Sequence, residues 1–243
     1  MKIGILQTGL VAPELASVSG EYDAVFKRFL HRADPTIEVV GWRVVEGDIP
    51  ADPSLADGWL LSGSKHGVYE DHDWLPPLKD FIRTCAAQKV PMIGVCFGHQ
   101  VMAEALGGRA EKSIRGWGLG PHEYDVLSKP DWMNGAPDRL TVHAIHQDQV
   151  TILPPDATRI ATSEFCENAA LVYGDIDAPY AISIQPHPEF TRDFAEGLIN
   201  VRRGKPFPED RSAAALAKID HAVDNEWIAG WFLSFLKTRM PNN

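Results

Sequence analysis

The sequence has few cysteines, no long apolar run and no excess of positive charge, and each shortage excludes a class of protein. Three cysteines in 243 residues are a small and odd number for a disulfide framework. Lys and Arg number 23 against 33 Asp and Glu, and the net charge of −10 repels nucleic acid and anionic lipid. No apolar run approaches the ~18–20 residues that span a bilayer, and the N-terminus lacks the features of a signal peptide. We therefore expect a cytoplasmic protein that binds neither nucleic acid nor membrane, with cysteines that are buried or catalytic.

Short apolar runs alternate with longer amphipathic stretches through the first half of the chain. Apolar runs typical of strands occupy residues 3–6, 37–45, 58–62 and 91–95. Stretches with apolar residues at helical spacing occupy residues 21–32, 78–89 and 99–106. Strands that alternate with helices predict a parallel sheet covered on both faces.

The second half changes character, because strand-like runs follow one another with little helix between them. These runs are residues 124–127, 140–145, 157–161, 169–173 and 180–184. After a helix at 190–201 and a break at 204–208, one long amphipathic helix is predicted from about residue 210 to 237, capped by Asp210 or Ser212. Its apolar stripe is expected to dock on the sheet or, alternatively, on a partner. We predict one α/β domain over residues 1–243, with a mostly parallel sheet, flanking helices and a small antiparallel portion.

The strongest local signal is Gly94-Val95-Cys96-Phe97-Gly98, which follows a buried strand and opens a helix. This is the nucleophile-elbow pattern with cysteine at the position of the nucleophile. The sharp turn strains the central residue and lifts its side chain clear, while the glycines let neighbouring backbone approach. The helix N-terminus stabilises a thiolate, and the N–H of Phe97 is left to donate to an oxyanion. The alternative is that Cys96 is only a small buried residue in a glycine-rich turn.

A cysteine nucleophile needs a base, and His187 is the best placed of the nine histidines. It lies two residues before Glu189, in a proline-stiffened segment that follows the predicted strand at 180–184. Residues two apart in an extended segment share a face, so both side chains can point the same way. Glu189 then holds one ring nitrogen while the other meets Cys96. A surface histidine beside a surface glutamate is the alternative.

Together these motifs resemble those of the class I (triad) glutamine amidotransferases. The order of Cys96, His187 and Glu189 matches, as does the upstream segment 60–64, and the resemblance covers about residues 2–198. It implies a flavodoxin-like fold and hydrolysis of a γ-glutamyl amide bond through a γ-glutamyl thioester. Within the class, the chain looks most like the amidotransferase domain of GMP synthetase and its stand-alone relatives, which include γ-glutamyl peptidases.

The resemblance also implies roles for individual residues. Cys96 is the expected nucleophile, His187 the acid and base, and Glu189 the group that orients the imidazole. The backbone N–H groups of Phe97 and Ser64 form the expected oxyanion hole. The positions expected to meet the substrate are Gly63, Gln100, Gln147 and Asp148. A helix cap at Gln100 and a loop brace at Asp148 are the alternatives.

One turn departs from the pattern of the synthetases. Those members usually carry Gly-Gly-Pro where this chain has Gly63-Ser64-Lys65. The backbone at Ser64 and the loop at 65–73 are therefore less constrained, and the peptidase-like relatives resemble the chain better here. The polar loop is expected to border a mouth wider than an ammonia leaving group requires.

No metal or cofactor is predicted. His66 and His72 flank Glu70 in the polar loop, but their spacing matches no ligand motif. The sequence contains neither of the glycine patterns that cradle phosphates, so no nucleotide loop is visible. Cys85 is assigned to a helix core, and Cys166 has no neighbour in sequence that stabilises a thiolate.

Three functions compete at this point. The first is a self-sufficient hydrolase of small γ-glutamyl compounds. The second is a glutaminase that supplies ammonia to a separate synthetase subunit in trans. The third is a catalytically silent binding module that keeps the fold, and the intact set of Cys96, His187 and Glu189 argues against it.

Overall fold

The computed structural model describes residues 1–239, and its strands form one nine-stranded sheet and a separate two-stranded ladder. The strands are β1 (Lys2–Leu6), β2 (Glu38–Trp42), β3 (Gly58–Leu61), β4 (Met92–Val95), β5 (Arg109–Lys112), β6 (Gly118–Val126), β7 (Arg139–His146), β8 (Asp148–Ile152), β9 (Ala157–Thr162), β10 (Ala170–Tyr173) and β11 (Ala181–Ile184). The helices are α1 (Pro13–Ser19), α2 (Tyr22–His31), α3 (Leu75–Gln88), α4 (Phe97–Ala105), α5 (Arg192–Arg202), α6 (Glu209–Leu216) and α7 (Asn225–Thr238). The large sheet has the order β2-β1-β3-β4-β11-β10-β9-β6-β7, and β5 pairs with β8.

The large sheet is parallel in one half and antiparallel in the other. Every pairing from β2 to β11 is parallel, and every pairing from β11 to β7 is antiparallel. The predicted α/β class is therefore confirmed, with its antiparallel part in the second half of the chain. Because parallel strands end at one edge, the segments that follow β3, β4 and β11 meet there. These segments carry the residues singled out in the sequence.

The sheet is covered on both faces, which explains its continuous apolar strands. Ile5 of β1 packs in a core with α2, α5 and α7, whereas the next residue, Leu6, packs on the opposite face with α3 and α4. Strands β3, β4 and β11 are buried at every position. A strand that is buried on both faces has no polar side to alternate with, as the sequence indicated.

An isolated bridge joins the segment after β11 to β7. The N–H of His187 donates to the carbonyl oxygen of His143 at 2.8 Å, in an antiparallel arrangement. The bridge fixes the backbone of His187 against the strand that leads into residues 146–148. It therefore positions two predicted parts of the site relative to each other.

The single long C-terminal helix predicted from the sequence is wrong. Helix α6 ends at Leu216, and α7 begins at Asn225. The backbone N–H of Asp224 donates to the carbonyl oxygen of Thr141 at 2.8 Å, and its carboxylate accepts the N–H of Thr141 at 2.7 Å. These bonds to β7 compete with helical hydrogen bonding, which explains the break.

The break also divides the predicted apolar stripe. Trp231 and Phe235 are buried and α7 packs on the sheet, as expected, but Trp227 is 45% exposed. Ile219 is buried in the connection between the two helices. The stripe therefore belongs to two elements that reach the core at different angles.

Three short elements were not predicted, namely α1, β5 and β8. Strand β5 is mostly charged, so it carries no apolar signal, and it forms only through pairing with β8. None of the helices within residues 1–239 has the length and apolarity that crossing a bilayer requires.

Candidate active site

The elbow after β4 has the backbone that the sequence predicts. Cys96 adopts φ 54° and ψ −104°, a conformation that residues other than glycine rarely adopt. A Cβ on Gly94 would lie 2.7 Å from the carbonyl group of Gly98, and one on Gly98 would overlap the carbonyl oxygen of Leu61. Glycine is therefore required for the strand and helix to pack this closely. Cys96 is the N-cap residue of α4 and is buried.

The side chains of His187 and Glu189 meet in the segment after β11. Nδ1 of His187 donates to Oε1 of Glu189 at 2.8 Å, and both side chains are buried. Phe190 stacks on the imidazole, with ring centroids 4.0 Å apart and planes inclined by 3°. The carboxylate fixes the tautomer and the phenyl ring fixes the plane, so Nε2 is left to face another group.

Gly63 lies between the imidazole and the cysteine. A Cβ on this residue would lie 2.8 Å from Cε1 and 3.7 Å from Nε2 of His187. It would also lie 3.8 Å from Cβ of Cys96. The ends of β3, β4 and β11 therefore bring a thiol, an imidazole and a carboxylate into one buried group.

The electrostatics of this group favour a charged imidazole. Burial lowers the pKa of His187, but the negative charges of Glu189 and Cys96 outweigh burial and raise the pKa above its usual value. An imidazole with a raised pKa keeps its proton at neutral pH when the thiol is ionised. The arrangement can therefore hold a thiolate beside a proton donor, which amide cleavage requires.

Two backbone N–H groups lie where an oxyanion hole would need them. Phe97 opens α4, so its N–H has no acceptor within the helix. The turn at 62–64 is tied to Thr8, whose N–H donates to Oγ of Ser62 at 3.0 Å and whose hydroxyl donates to the carbonyl oxygen of Ser62 at 2.9 Å. Ser64 lines the same cleft as Cys96. Anchoring at a strand end compensates for the glycine and proline that this turn lacks.

We expect the substitution Gly63→Ala to lower kcat by about a hundredfold, because an added Cβ displaces the imidazole and a shift of ~1 Å in a catalytic group has an effect of this size. Steady-state kinetics with a γ-glutamyl substrate and a melting curve measure the two effects separately. Gly230→Ala is the matched control, since a Cβ there meets nothing within 4 Å. A Gly63→Ala protein with the wild-type kcat would show that this position does not hold His187 against the thiol.

A cleft of about 430 Å³ opens over Cys96, within the size range of small-molecule sites. It brings together four predicted residues, namely Ser64, Gln100, Gln147 and Asp148. Residues that were not selected from the sequence also line it, among them Lys65, Tyr69, Lys112, Trp117, Arg202 and Pro206. The cleft holds both a carboxylate and several cations, so its chemistry suits a zwitterionic ligand.

Gln100 is more of a brace than the sequence indicated. Its side-chain amide donates to the carbonyl oxygen of Asp148 at 2.9 Å and to Oε1 of Gln185 at 3.2 Å. Both amide hydrogens are therefore used within the protein, and only the side-chain oxygen remains to meet a ligand. Gln100 links α4 to the start of β8 and to the segment that precedes His187.

Two residues reach the cleft from parts of the chain that carry no motif. The hydroxyl of Tyr69 donates to Oδ2 of Asp148 at 2.9 Å and so connects the 65–73 loop to β8. Arg202, at the end of α5, lies over the ring of Phe207 with its guanidinium carbon 5.9 Å from the ring centroid. No local pattern marks either residue, because each is placed by tertiary packing.

The comparisons with known proteins agree with this geometry. The sequence model of the family described as glutamine amidotransferase class-I matches residues 23–197. Gamma-glutamyl peptidase 4 of Arabidopsis thaliana is 31% identical over 188 residues, which cover 74% of this chain and 72% of that protein. A subunit of the glutamine-hydrolyzing GMP synthase of Methanosarcina barkeri is 31% identical over 173 residues, which cover 68% of this chain and 82% of that protein.

Solved structures share the fold over nearly the whole chain. A glutamine amidotransferase from Thermotoga maritima has a TM-score of 0.73 at 21% identity, covering 98% of this chain and 97% of that one. Another from Methylobacillus flagellatus has a TM-score of 0.78 at 24% identity, covering 100% of this chain and 96% of that one. At these identities the likeness concerns the fold.

Proposed function

Because this chain belongs to the glutamine amidotransferase class-I family, we propose that it hydrolyses the γ-glutamyl amide bond of a small compound with a triad of Cys96, His187 and Glu189. The observation that supports this most is the packing of His187 and Cys96 around Gly63, with Glu189 behind the imidazole. Its γ-glutamyl peptidase and amidotransferase relatives indicate a hydrolase-type enzyme. A silent binding module has no need of this buried, charged arrangement.

The first half of the proposed reaction forms a thioester. The thiolate of Cys96 attacks the γ-carbonyl carbon, and the carbonyl oxygen becomes an oxyanion that accepts hydrogen bonds from the N–H groups of Phe97 and Ser64. The tetrahedral intermediate collapses, the C–N bond breaks, and His187 transfers its proton to the leaving amine. The products are a γ-glutamyl thioester and a free amine or ammonia.

The second half releases glutamate. Water attacks the thioester carbon while the neutral imidazole of His187 accepts a proton from it, and a second oxyanion forms in the same hole. The C–S bond then breaks, which leaves γ-carboxylate product, thiolate and protonated imidazole. Glu189 stays ionised throughout and stabilises the imidazolium through the 2.8 Å hydrogen bond.

The cleft favours a leaving group larger than ammonia. Its volume of about 430 Å³ exceeds what a glutamine side chain and ammonia require. The turn Gly63-Ser64-Lys65 also departs from the pattern of ammonia donors. We therefore propose a γ-glutamyl peptide or γ-glutamyl amine as the substrate class, with no nucleotide and no partner chain required.

A glutaminase that serves a synthetase is the second candidate. Subunits of glutamine-hydrolyzing GMP synthases are among the relatives at 31% identity, and by that name they belong to a larger synthase. In this case a synthetase subunit would act in trans and consume the ammonia. The two candidates share the proposed triad and differ in the leaving group and in the need for a partner.

A substrate panel separates the two candidates. We expect the purified chain, without ATP, to release glutamate from at least one γ-glutamyl peptide or amine with a kcat/KM above that for glutamine. The panel contains glutamine, glutathione, γ-glutamyl amines and γ-glutamyl dipeptides, and Cys96→Ser protein is the blank for contaminating activity. Inactivity on every compound, followed by glutaminase activity when a synthetase subunit is added, would contradict the hydrolase proposal and support the ammonia donor.

A further inference from the structure

The loop between β3 and α3 contains a cluster of metal-ligating side chains outside the proposed triad. Nδ1 of His66 lies 3.1 Å from Oε2 of Glu70, and Nε2 of His72 lies 2.7 Å from the same oxygen. One ligand atom from each of the three residues lies within 4.8 Å of the other two. Their side chains are 22%, 41% and 28% exposed in chain order, so solvent reaches all three.

The two imidazoles rest on an aromatic surface. His72 stacks on Trp74 with centroids 5.5 Å apart and planes inclined by 13°, and His66 meets the same ring edge-on at 5.9 Å. Trp74 is buried and packs on Phe97 at 5.7 Å. Ring orientation is thus set before any ligand arrives, which reduces the entropy lost on binding.

We propose that His66, Glu70 and His72 form a binding site for a divalent transition-metal cation of the Zn²⁺ class. Two imidazole nitrogens and one carboxylate oxygen are a common ligand set for Zn²⁺, and three protein ligands leave one position for water. Bonds of about 2.0–2.1 Å place tetrahedral ligand atoms roughly 3.3 Å apart. The observed 2.7 and 3.1 Å separations are therefore within roughly half an ångström of that geometry.

The surrounding charge also favours a cation. Asp71 and Asp73 add two exposed carboxylates beside the ligands, and the chain carries a net charge of −10. The competing cations near the cleft, Lys65 and Lys112, are held on other segments. Hard cations prefer all-oxygen sites, so the two imidazoles select Zn²⁺, Co²⁺ or Ni²⁺ over Mg²⁺ and Ca²⁺.

The site lies at the mouth of the cleft, so a bound cation acts on the loop rather than on the triad. His66 and Glu70 line the cleft above Cys96, and Tyr69 between them is hydrogen-bonded to Asp148 across the opening. A cation joins residues six positions apart in the loop and holds Tyr69 in place. Occupancy therefore stabilises the 65–73 loop over the mouth.

Binding is best measured on protein that lacks the proposed nucleophile, because a thiolate beside an imidazole also attracts Zn²⁺. Calorimetric titration of metal-free Cys96→Ser protein with Zn²⁺ should show one site. In the same background, His66→Gln and His72→Gln should each weaken Zn²⁺ at least about tenfold. His221→Gln, which changes an exposed histidine far along the chain, is the matched control and should bind as the parent does.

A second readout tests the effect on the loop. Zn²⁺ should slow hydrogen exchange of the amides at 65–73 in Cys96→Ser protein, and this slowing should vanish with His66→Gln. Co²⁺ in the same site should give the visible absorption of a four-coordinate ion. The proposal is overturned if Cys96→Ser protein binds no Zn²⁺, if both histidine variants bind it unchanged, or if exchange in the loop is unaffected by bound metal. Melting curves of the variants confirm that each one is folded.

Discussion

Cys96→Ser should lower kcat/KM for every γ-glutamyl substrate by at least about a thousandfold, with little change in the melting temperature. The hydroxyl is a much weaker nucleophile than a thiolate in a site whose imidazole is charged rather than ready to accept a proton. The substitution keeps the size of the side chain and the strained backbone at the elbow. Steady-state kinetics and a melting curve on the same preparation measure the two effects.

The other two cysteines provide the controls. Cys85 and Cys166 are both buried, and burial raises the pKa of each thiol, to about 12 for Cys85 and further for Cys166. Neither is therefore a thiolate at neutral pH. Cys85→Ala and Cys166→Ala should keep most of the wild-type kcat/KM and lose some stability. Substantial activity in Cys96→Ser, or its loss in Cys85→Ala without unfolding, would contradict the assignment of the nucleophile.

His187→Ala should lower kcat/KM by about a hundred- to ten-thousandfold, the range for loss of a general acid and base, and Glu189→Gln should have a smaller effect of about ten- to a hundredfold. His187 transfers the proton in both halves of the proposed reaction, whereas Glu189 orients the ring and stabilises its charge. Comparison of kcat/KM for the two variants tests the order.

The pH profile gives a second test of the pair. Because the charge of Glu189 raises the pKa of His187, its removal lowers that pKa, and the imidazolium loses its proton at a lower pH. The alkaline limb of the kcat/KM profile of Glu189→Gln should therefore move to lower pH. Equal losses in the two variants, or an unchanged alkaline limb, would indicate that Glu189 has another role or that the base is a different histidine.

The parts of the fold that could be predicted are those set by local sequence. The elbow needs only a buried strand, five residues and a helix, and the glycines at 94 and 98 announce the close packing that the structure shows. His187 and Glu189 share a face because they are two residues apart in an extended segment. Parallel strands then bring both segments to one edge of the sheet.

The parts that were missed or wrong depend on contacts between distant residues. The continuous stripe from 216 to 235 predicts one helix, but hydrogen bonds between Asp224 and Thr141 end it. Strand β5 is charged and exists through its pairing with β8. The spacing of His66, Glu70 and His72 fits no motif, and only the folded loop brings their ligand atoms together.

The most direct test of the proposed function is to look for the covalent intermediate. Protein quenched in acid during turnover of a γ-glutamyl substrate, digested and analysed by mass spectrometry, should carry the mass of one γ-glutamyl group on the peptide that contains Cys96. The same peptide from Cys96→Ser protein should be unmodified. Steady turnover with no adduct, even with a slowly hydrolysed substrate, or an adduct on a residue other than Cys96, would contradict hydrolysis through a thioester at this elbow.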